Sequence, residues 1–276
     1  MGYQVLKNKI TIRIEPVKKG VWQLYFTGDT KPISAHRFTQ LMGWEKYGSK
    51  ADLFLDFYGL KITPLTNRLT LGSTMEETIL EYEYADEVYL HYEMTKENRG
   101  NIINPTGEED VNGIPDAIVL TRGSLGECKV TTSPIKECRE NWYKQAQFYA
   151  YFWNKYIAKD TGFNVNYVEI LTYYVPDNMI DYQIANKNAL VIDNYFKFVF
   201  TLDEDIEQDI NTAKEKKKDL LDNGLQVRAT HNKILWEIAV GVLNKRIKFK
   251  YDKDDENSKE FINIINSIIK EERKKN

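Results

Sequence analysis

Cysteine and histidine are scarce in this 276-residue chain, with two cysteines (Cys128 and Cys138) and three histidines (His36, His91 and His231). Two cysteines cannot alone build a structural zinc site or a four-cysteine iron–sulfur cluster. In a reducing compartment they are not expected to pair, so they read as small, half-buried thiols. The histidines are scattered and read as structural. Long apolar runs are also missing: the stretch from Ile234 to Leu243 is interrupted by polar residues and too short to span a bilayer. The opening MGYQVLKNKI lacks an apolar stretch followed by a small-residue cleavage site. Leu6 stands where a myristoylation signal needs Ser or Thr. A cytoplasmic protein with no membrane association is expected. There is neither a glycine-rich phosphate loop nor a Gly-x-Ser-x-Gly elbow, so neither an ATP-driven motor nor a serine-elbow hydrolase is implied.

Surplus charge of one sign is absent too. The 38 basic and 41 acidic residues leave a net charge of −3, unlike a histone-type nucleic-acid binder. A local basic groove is compatible with that total, because carboxylates elsewhere mask it. What is present, 42% hydrophobic and 29% charged residues, describes an ordinary soluble globular chain.

Periodicity sets the expected elements. Residues 3–15 and 20–27 read as two strands of an opening hairpin. Ser34 is a credible N-cap for a helix through Met42, and a second helix follows over 51–58. Helical spacing runs from Leu69 to Tyr84, with Ser73 or Thr74 as cap and Glu76 and Glu77 in the first turn. Residues 86–93 alternate like a strand, and the polar stretch 95–112 reads as a long loop or an edge hairpin. Two strands, 115–120 and 125–131, are joined by a turn at 121–124. An aromatic helix over 139–158 leads to a strand over 165–175, ended by Pro176. Amphipathic helices follow over 204–222 and 258–273, and 250–257 forms a polar linker. The order describes an α/β or α+β core over residues 1–203, with a helical C-terminal extension over 204–276 packed on it.

Within the hairpin of 115–131, Glu127 and Lys129 are two apart on one strand and project from the same face. The preceding strand can bring Asp116 beside them. Carboxylates gathered at one point repel unless a cation lies between them, and hard oxygen ligands suit Mg²⁺ or Mn²⁺. A metal so held would polarise a phosphate and activate water, while Lys129 would orient or help deprotonate that water, or offset developing charge. Spacing alone leaves two readings open, a metal site or a cross-strand ion pair.

Further segments narrow the choice. Ile33 to Ala35 reads ISA; Gly72 and Glu76 fit Gly-x-x-x-Glu; Pro115 to Ala117 reads PDA; Glu127 and Lys129 fit Glu-x-Lys; Gln145 and Tyr149 fit Gln-x-x-x-Tyr. In this order the chain resembles the PD-(D/E)xK nuclease superfamily, in particular its phage lambda exonuclease and YqaJ-type viral recombinase branch with RecB-like nuclease domains. The matched motifs span residues 33–153, a little under half the chain.

The resemblance implies a restriction-endonuclease-like core, a mixed sheet flanked by helices, with one or two Mg²⁺ or Mn²⁺ ions. It implies that Asp116, Glu127 and the backbone carbonyl of Cys128 ligate metal, with Glu76 acting directly or through a water. Lys129 would be the catalytic lysine, and Gln145 would hold the water or its own helix end. Ser34, Arg37, Lys31 and Tyr149 would face DNA. Lambda-type enzymes place an arginine ahead of the Ser34 helix, where this chain reads FTGDTK from Phe26 to Lys31; Lys31 or Arg37 stands in for it.

The function so implied is double-stranded DNA exonuclease activity in phage-type recombination or DNA processing. Double-stranded DNA, a single-strand annealing protein and further copies of the chain are the implied partners. A structure-specific or restriction-type endonuclease, and a non-catalytic DNA-binding or inhibitor protein, are the alternatives. From the residues alone, Glu76 also reads as a cap, Gln145 as a solvated helix residue and Tyr149 as core. The basic runs Lys214 to Lys218 and Lys245 to Lys250 read as solvated faces or backbone contacts.

Overall fold

Alternation and helical periodicity resolve into nine strands and nine α-helices among the described residues, which in this computed structural model are 9–46, 48–91 and 101–275. The strands are β1 (Ile10–Lys18), β2 (Val21–Thr27), β3 (Tyr89–His91), β4 (Ala117–Val119), β5 (Ser124–Thr131), β6 (Tyr167–Tyr174), β7 (Tyr195–Thr201), β8 (Leu225–Arg228) and β9 (Ile247–Lys250). The helices are α1 (Ala35–Met42), α2 (Lys50–Phe57), α3 (Asn67–Glu83), α4 (Glu140–Phe152), α5 (Ala158–Thr161), α6 (Ile180–Ala185), α7 (Ile206–Asp222), α8 (Asn232–Leu243) and α9 (Glu256–Lys275). A π-helical turn, Trp153–Ile157, joins α4 to α5. Of the expected elements, residues 3–8, 92–93 and 95–100 lie outside the described residues.

The chain divides into two compact units. One comprises Met1–Pro32, Lys46–Thr63 and Lys214–Asn276; the other comprises Ile33–Glu45 and Pro64–Ala213. This differs from a division at residue 203, and the strand pairing explains why. The opening hairpin lies in a four-stranded sheet of order β8-β2-β1-β9, with β8 and β9 supplied by the C-terminal third. That third is therefore not purely helical. The short runs LQVR and IKFK of β8 and β9 carry too little alternation to be found without their partners. Ile10, Ile12 and Ile14 of β1 are buried, as are Val21, Trp22, Leu24 and Phe26 of β2. Phe261 of α9 meets the Trp22 ring edge-on at 5.2 Å, and Trp22 Nε1 donates to the carbonyl of Asn257.

The second unit is built on a five-stranded sheet of order β3-β4-β5-β6-β7. All neighbours are antiparallel except β5 and β6, whose parallel pairing is made by the crossover through α4. Side chains alternate between the faces. Ala117, Val119, Leu171 and Tyr173 pack with Leu71, Met75, Ile79 and Leu80 of α3. Ile118, Leu125, Val168 and Ile170 pack with Ala146 and Ala150 of α4 on the other face. The fold class is the expected one, mixed α/β with sheets flanked by helices and a C-terminal helix.

Two local expectations change. The α3 helix starts at Asn67, where Thr66 accepts the Leu69 N–H. Ser73 instead donates to the carbonyls of Leu69 and Thr70 inside the helix. Glu76 and Glu77 thus lie mid-helix, away from the first turn. Strand β7, with the sequence YFKFVFT, was not anticipated; it pairs with β6 along its whole length. Among the described residues no helix is long and apolar enough to cross a membrane.

A carboxylate–lysine candidate active site

The site lies within the second unit, where β4 meets β5. Their register pairs Ala117 with Gly126, Ile118 with Leu125 and Val119 with Ser124. One step further sets Asp116 opposite Glu127. The backbone N–H of Cys128 donates to Asp116 Oδ2 at 2.7 Å, fixing the carboxylate beside β5. Glu127 and Lys129 share the α4 face of β5, while the Cys128 side chain turns to the α3 face.

Lys129 is held by two acceptors. Its Nζ donates to Glu127 Oε1 at 2.7 Å and to Gln145 Oε1 at 2.8 Å. The Gln145 amide nitrogen donates to Thr39 Oγ1 at 3.4 Å, and the Thr39 hydroxyl donates to the His36 carbonyl at 2.9 Å. Because the Thr39 proton is committed to His36, its oxygen is left to accept. This sets the amide orientation that turns Gln145 Oε1 toward the lysine. Sequence reasoning paired Gln145 with water or its helix end and passed over Thr39, whose part appears only when α1 packs on α4.

Charge and burial are in tension here. Glu127 is 4% exposed, and its Oε2 has no hydrogen-bond partner among the described residues. Burial, reinforced by Glu127 and Glu76, pushes the Asp116 carboxyl well above the usual carboxylate range. Burial also raises Glu127, although the Lys129 ammonium opposes it. For Lys129 burial works toward a lower value, but Glu127 and Asp116 outweigh it and hold the amine protonated. Burial and the same acids push the Cys128 thiol up, so its sulfur is no thiolate. A ring of negative potential around one orphaned carboxylate oxygen is what a cation would relieve.

Among the described residues, no three His, Cys, Asp or Glu side chains are grouped as a ready-made metal cage. The residues present nevertheless fit Mg²⁺ or Mn²⁺. Mg²⁺ is ordinarily bound through one or two carboxylates, with waters and substrate phosphates completing its shell. Zinc sites are ordinarily built on His or Cys ligands, which Asp116 and Glu127 do not supply.

The remaining expected residues divide. Glu76, on α3, has Oε1 at 3.4 Å from His91 Nε2. It lies close enough to Asp116 and Glu127 to raise both. His91, read as merely structural from the sequence, is the register partner of Ala117 and so reaches this end of the sheet. Tyr149 lies beside the carboxylates; burial and then Glu127, Asp116 and Glu76 push its phenol well up, and Gly113 leaves room for its ring. Ser34 caps α1, accepting the Arg37 N–H and a guanidinium N–H, both at 3.4 Å. Lys31 belongs to the first unit, where it pairs with Asp56 at 2.8 Å. In the same unit Lys217 is 5% exposed and donates to the Lys31 carbonyl, and Arg246 donates to the carbonyls of Tyr58 and Gly59. These two members of the basic runs are structural staples.

No family model matches the chain, and no curated protein matches it. Among solved structures, it is similar to a phage related exonuclease from Haemophilus somnus 129PT, at 13% identity and a TM-score of 0.47, over 70% of this chain and 94% of that one.

Proposed function

We propose that this chain is a metal-dependent DNA nuclease, hydrolysing phosphodiester bonds with Mg²⁺ or Mn²⁺ at Asp116 and Glu127. The observation that carries the reading is the orphaned Glu127 Oε2, buried next to Asp116 and braced by Lys129. A simple cross-strand ion pair would leave neither a lone buried oxygen nor a second carboxylate pushed up by the first.

Asp116, Glu127 and the Cys128 carbonyl would hold the ion, with Glu76 closing the shell from α3. When bound, the cation supplies Lewis-acid polarisation of phosphate and a lowered pKa for attacking water. Lys129, held as an ammonium between Glu127 and Gln145, acts as a fixed positive charge for the developing phosphorane oxygens. That role fits its protonated state better than service as a base. Gln145 and Thr39 aim the ammonium. Exonucleolytic action on double-stranded DNA is the form of the reaction we favour, on the motif order alone.

The test incubates the protein with linear and closed circular duplex, in Mg²⁺ and in chelator. Mononucleotides from linear DNA in Mg²⁺ only are expected. Cut or nicked circles would transfer the assignment to an endonuclease. Intact DNA in every tube, with binding retained, would overturn hydrolysis and leave a binding protein.

A further inference from the structure

Arg139 differs from Arg68 and Arg122 of the same unit. Arg68 is matched by Asp177, and Arg122 is gripped by Glu83 and Glu87. Arg139 forms no ion pair among the described residues. Its guanidinium is instead braced by two neutral groups: one N–H donates to Thr131 Oγ1 at 3.1 Å, and the guanidinium carbon lies 4.4 Å from the centre of the Trp142 ring. The indole is 7% exposed and Thr131 is 8% exposed, so both braces are anchored in the core. A guanidinium braced in this way keeps its charge and most of its donors, and loses little rotamer freedom on meeting an anion.

Its position gives the brace a purpose. Glu127, Lys129 and Thr131 form one row on the α4 face of β5. Arg139, the residue preceding α4, is tied to the end of that row. Two residues of strand separate Lys129 from Thr131 by about 6.6 Å, close to the interval at which a DNA strand presents its next phosphate. We propose that Arg139 is a backbone-phosphate site, receiving the phosphodiester next to the one at Lys129 and setting the register of the strand. The inference rests on the nuclease reading of Asp116, Glu127 and Lys129. It adds an anion subsite that the motif comparison did not contain.

Fluorescence anisotropy with a labelled duplex, in chelator and over a series of salt concentrations, tests the site. Wild type, Arg139→Gln, Arg139→Lys and Thr131→Val are compared, with a thermal melt for each. Arg139→Gln should melt like wild type and bind about tenfold more weakly. The slope of log K against log salt should become shallower by about 0.9, the value of one phosphate contact. Arg139→Lys should keep the slope and lose part of the affinity, because an ammonium cannot use the stacked, forked geometry. Thr131→Val should do likewise. Wild-type affinity and slope in Arg139→Gln would overturn the site while leaving the nuclease reading intact, provided wild type binds and cuts. A wild-type protein that binds no duplex at all would overturn both.

Discussion

The backbone N–H of Cys128 and the Oδ2 atom of Asp116 are joined by a 2.7 Å hydrogen bond. Asp116 stands just before β4, and Cys128 lies in β5 between Glu127 and Lys129. The bond thus pins the first carboxylate to the strand that carries the second, and its donor is a backbone N–H, so it draws on no second side chain of the site. Burial and like charge work against this arrangement, a cost that the proposed cation would relieve.

Replacing Asp116 with Asn keeps the acceptor for Cys128 and removes one of the crowded charges. Asp116→Asn should therefore raise metal-free stability by about 1–2 kcal/mol, as isosteric removal of buried charge often does, and should abolish hydrolysis. Chemical denaturation in chelator, together with the nuclease assay, checks both. A destabilised, fully active variant would contradict the assignment.

The sign of the pH dependence follows from the raised carboxyls. A carboxyl raised on folding destabilises the folded state at neutral pH, and the loss is relieved as pH falls through the folded value. The melting-temperature gap between Asp116→Asn and wild type should thus shrink as pH falls from the alkaline side toward the ordinary carboxylate range. Over the same interval, protons compete with Mg²⁺, and the metal-induced rise in Tm should fade. Scanning fluorimetry with and without Mg²⁺ reads both trends; a gap that is constant with pH would count against buried, raised carboxyls.

Lys129→Met leaves Glu127 buried without its cation. A loss of about 3 kcal/mol is expected, the usual consequence of breaking a buried pair from one side, and activity should fall by about a hundredfold or more. Gln145→Ala and Thr39→Val disturb only the aim of the ammonium, so about tenfold to a hundredfold in rate is expected, with Mg²⁺ affinity close to wild type. Titration calorimetry of Mg²⁺ separates the two effects. Thr39→Ser should recover the rate, since it restores the hydroxyl that orients the amide.

Gly126 tests the back of the same strand. A methyl there would stand 2.5 Å from the Tyr84 hydroxyl oxygen and 3.1 Å from Cε2. That hydroxyl donates to the buried Glu169 at 2.6 Å, within a network that includes Lys197 and Arg122. Gly126→Ala should cost about 2 kcal/mol through overpacking and should lower activity by shifting β5. Tyr84→Phe, which leaves β5 in place, should lose stability with little change in rate. Equal rates for the two variants, measured well below their melting temperatures, would show that β5 does not move.

Much of the core was legible because it is written in period. The alternation of Ile10, Ile12 and Ile14 and the spacing of Leu71, Met75 and Ile79 name a strand and a helix whatever surrounds them. Less legible was the start of α3: Ser73 and Thr74 are as good cap residues as Thr66, and the choice depends on the burial of Leu71 against the sheet. The partners of the opening hairpin were hidden for a related reason. Four-residue strands such as β8 and β9 have almost no pattern of their own, and they are strands because β2 and β1 offer them hydrogen bonds.

The sequence by itself determined the chemistry available here: carboxylates at Asp116 and Glu127, a lysine two residues on, and a strand period that turns both members of the latter pair to one face. Those properties are local, set by residue type and backbone geometry. Only the tertiary structure decided the state of the groups. Packing left Glu127 Oε2 without a partner among the described residues, kept Lys129 an ammonium beside Glu127 and Asp116, aimed it through Gln145 and Thr39, brought His91 to Glu76, and braced Arg139 on Trp142. Burial and through-space charge depend on what lies across the sheet, and residues far apart in the chain fix them.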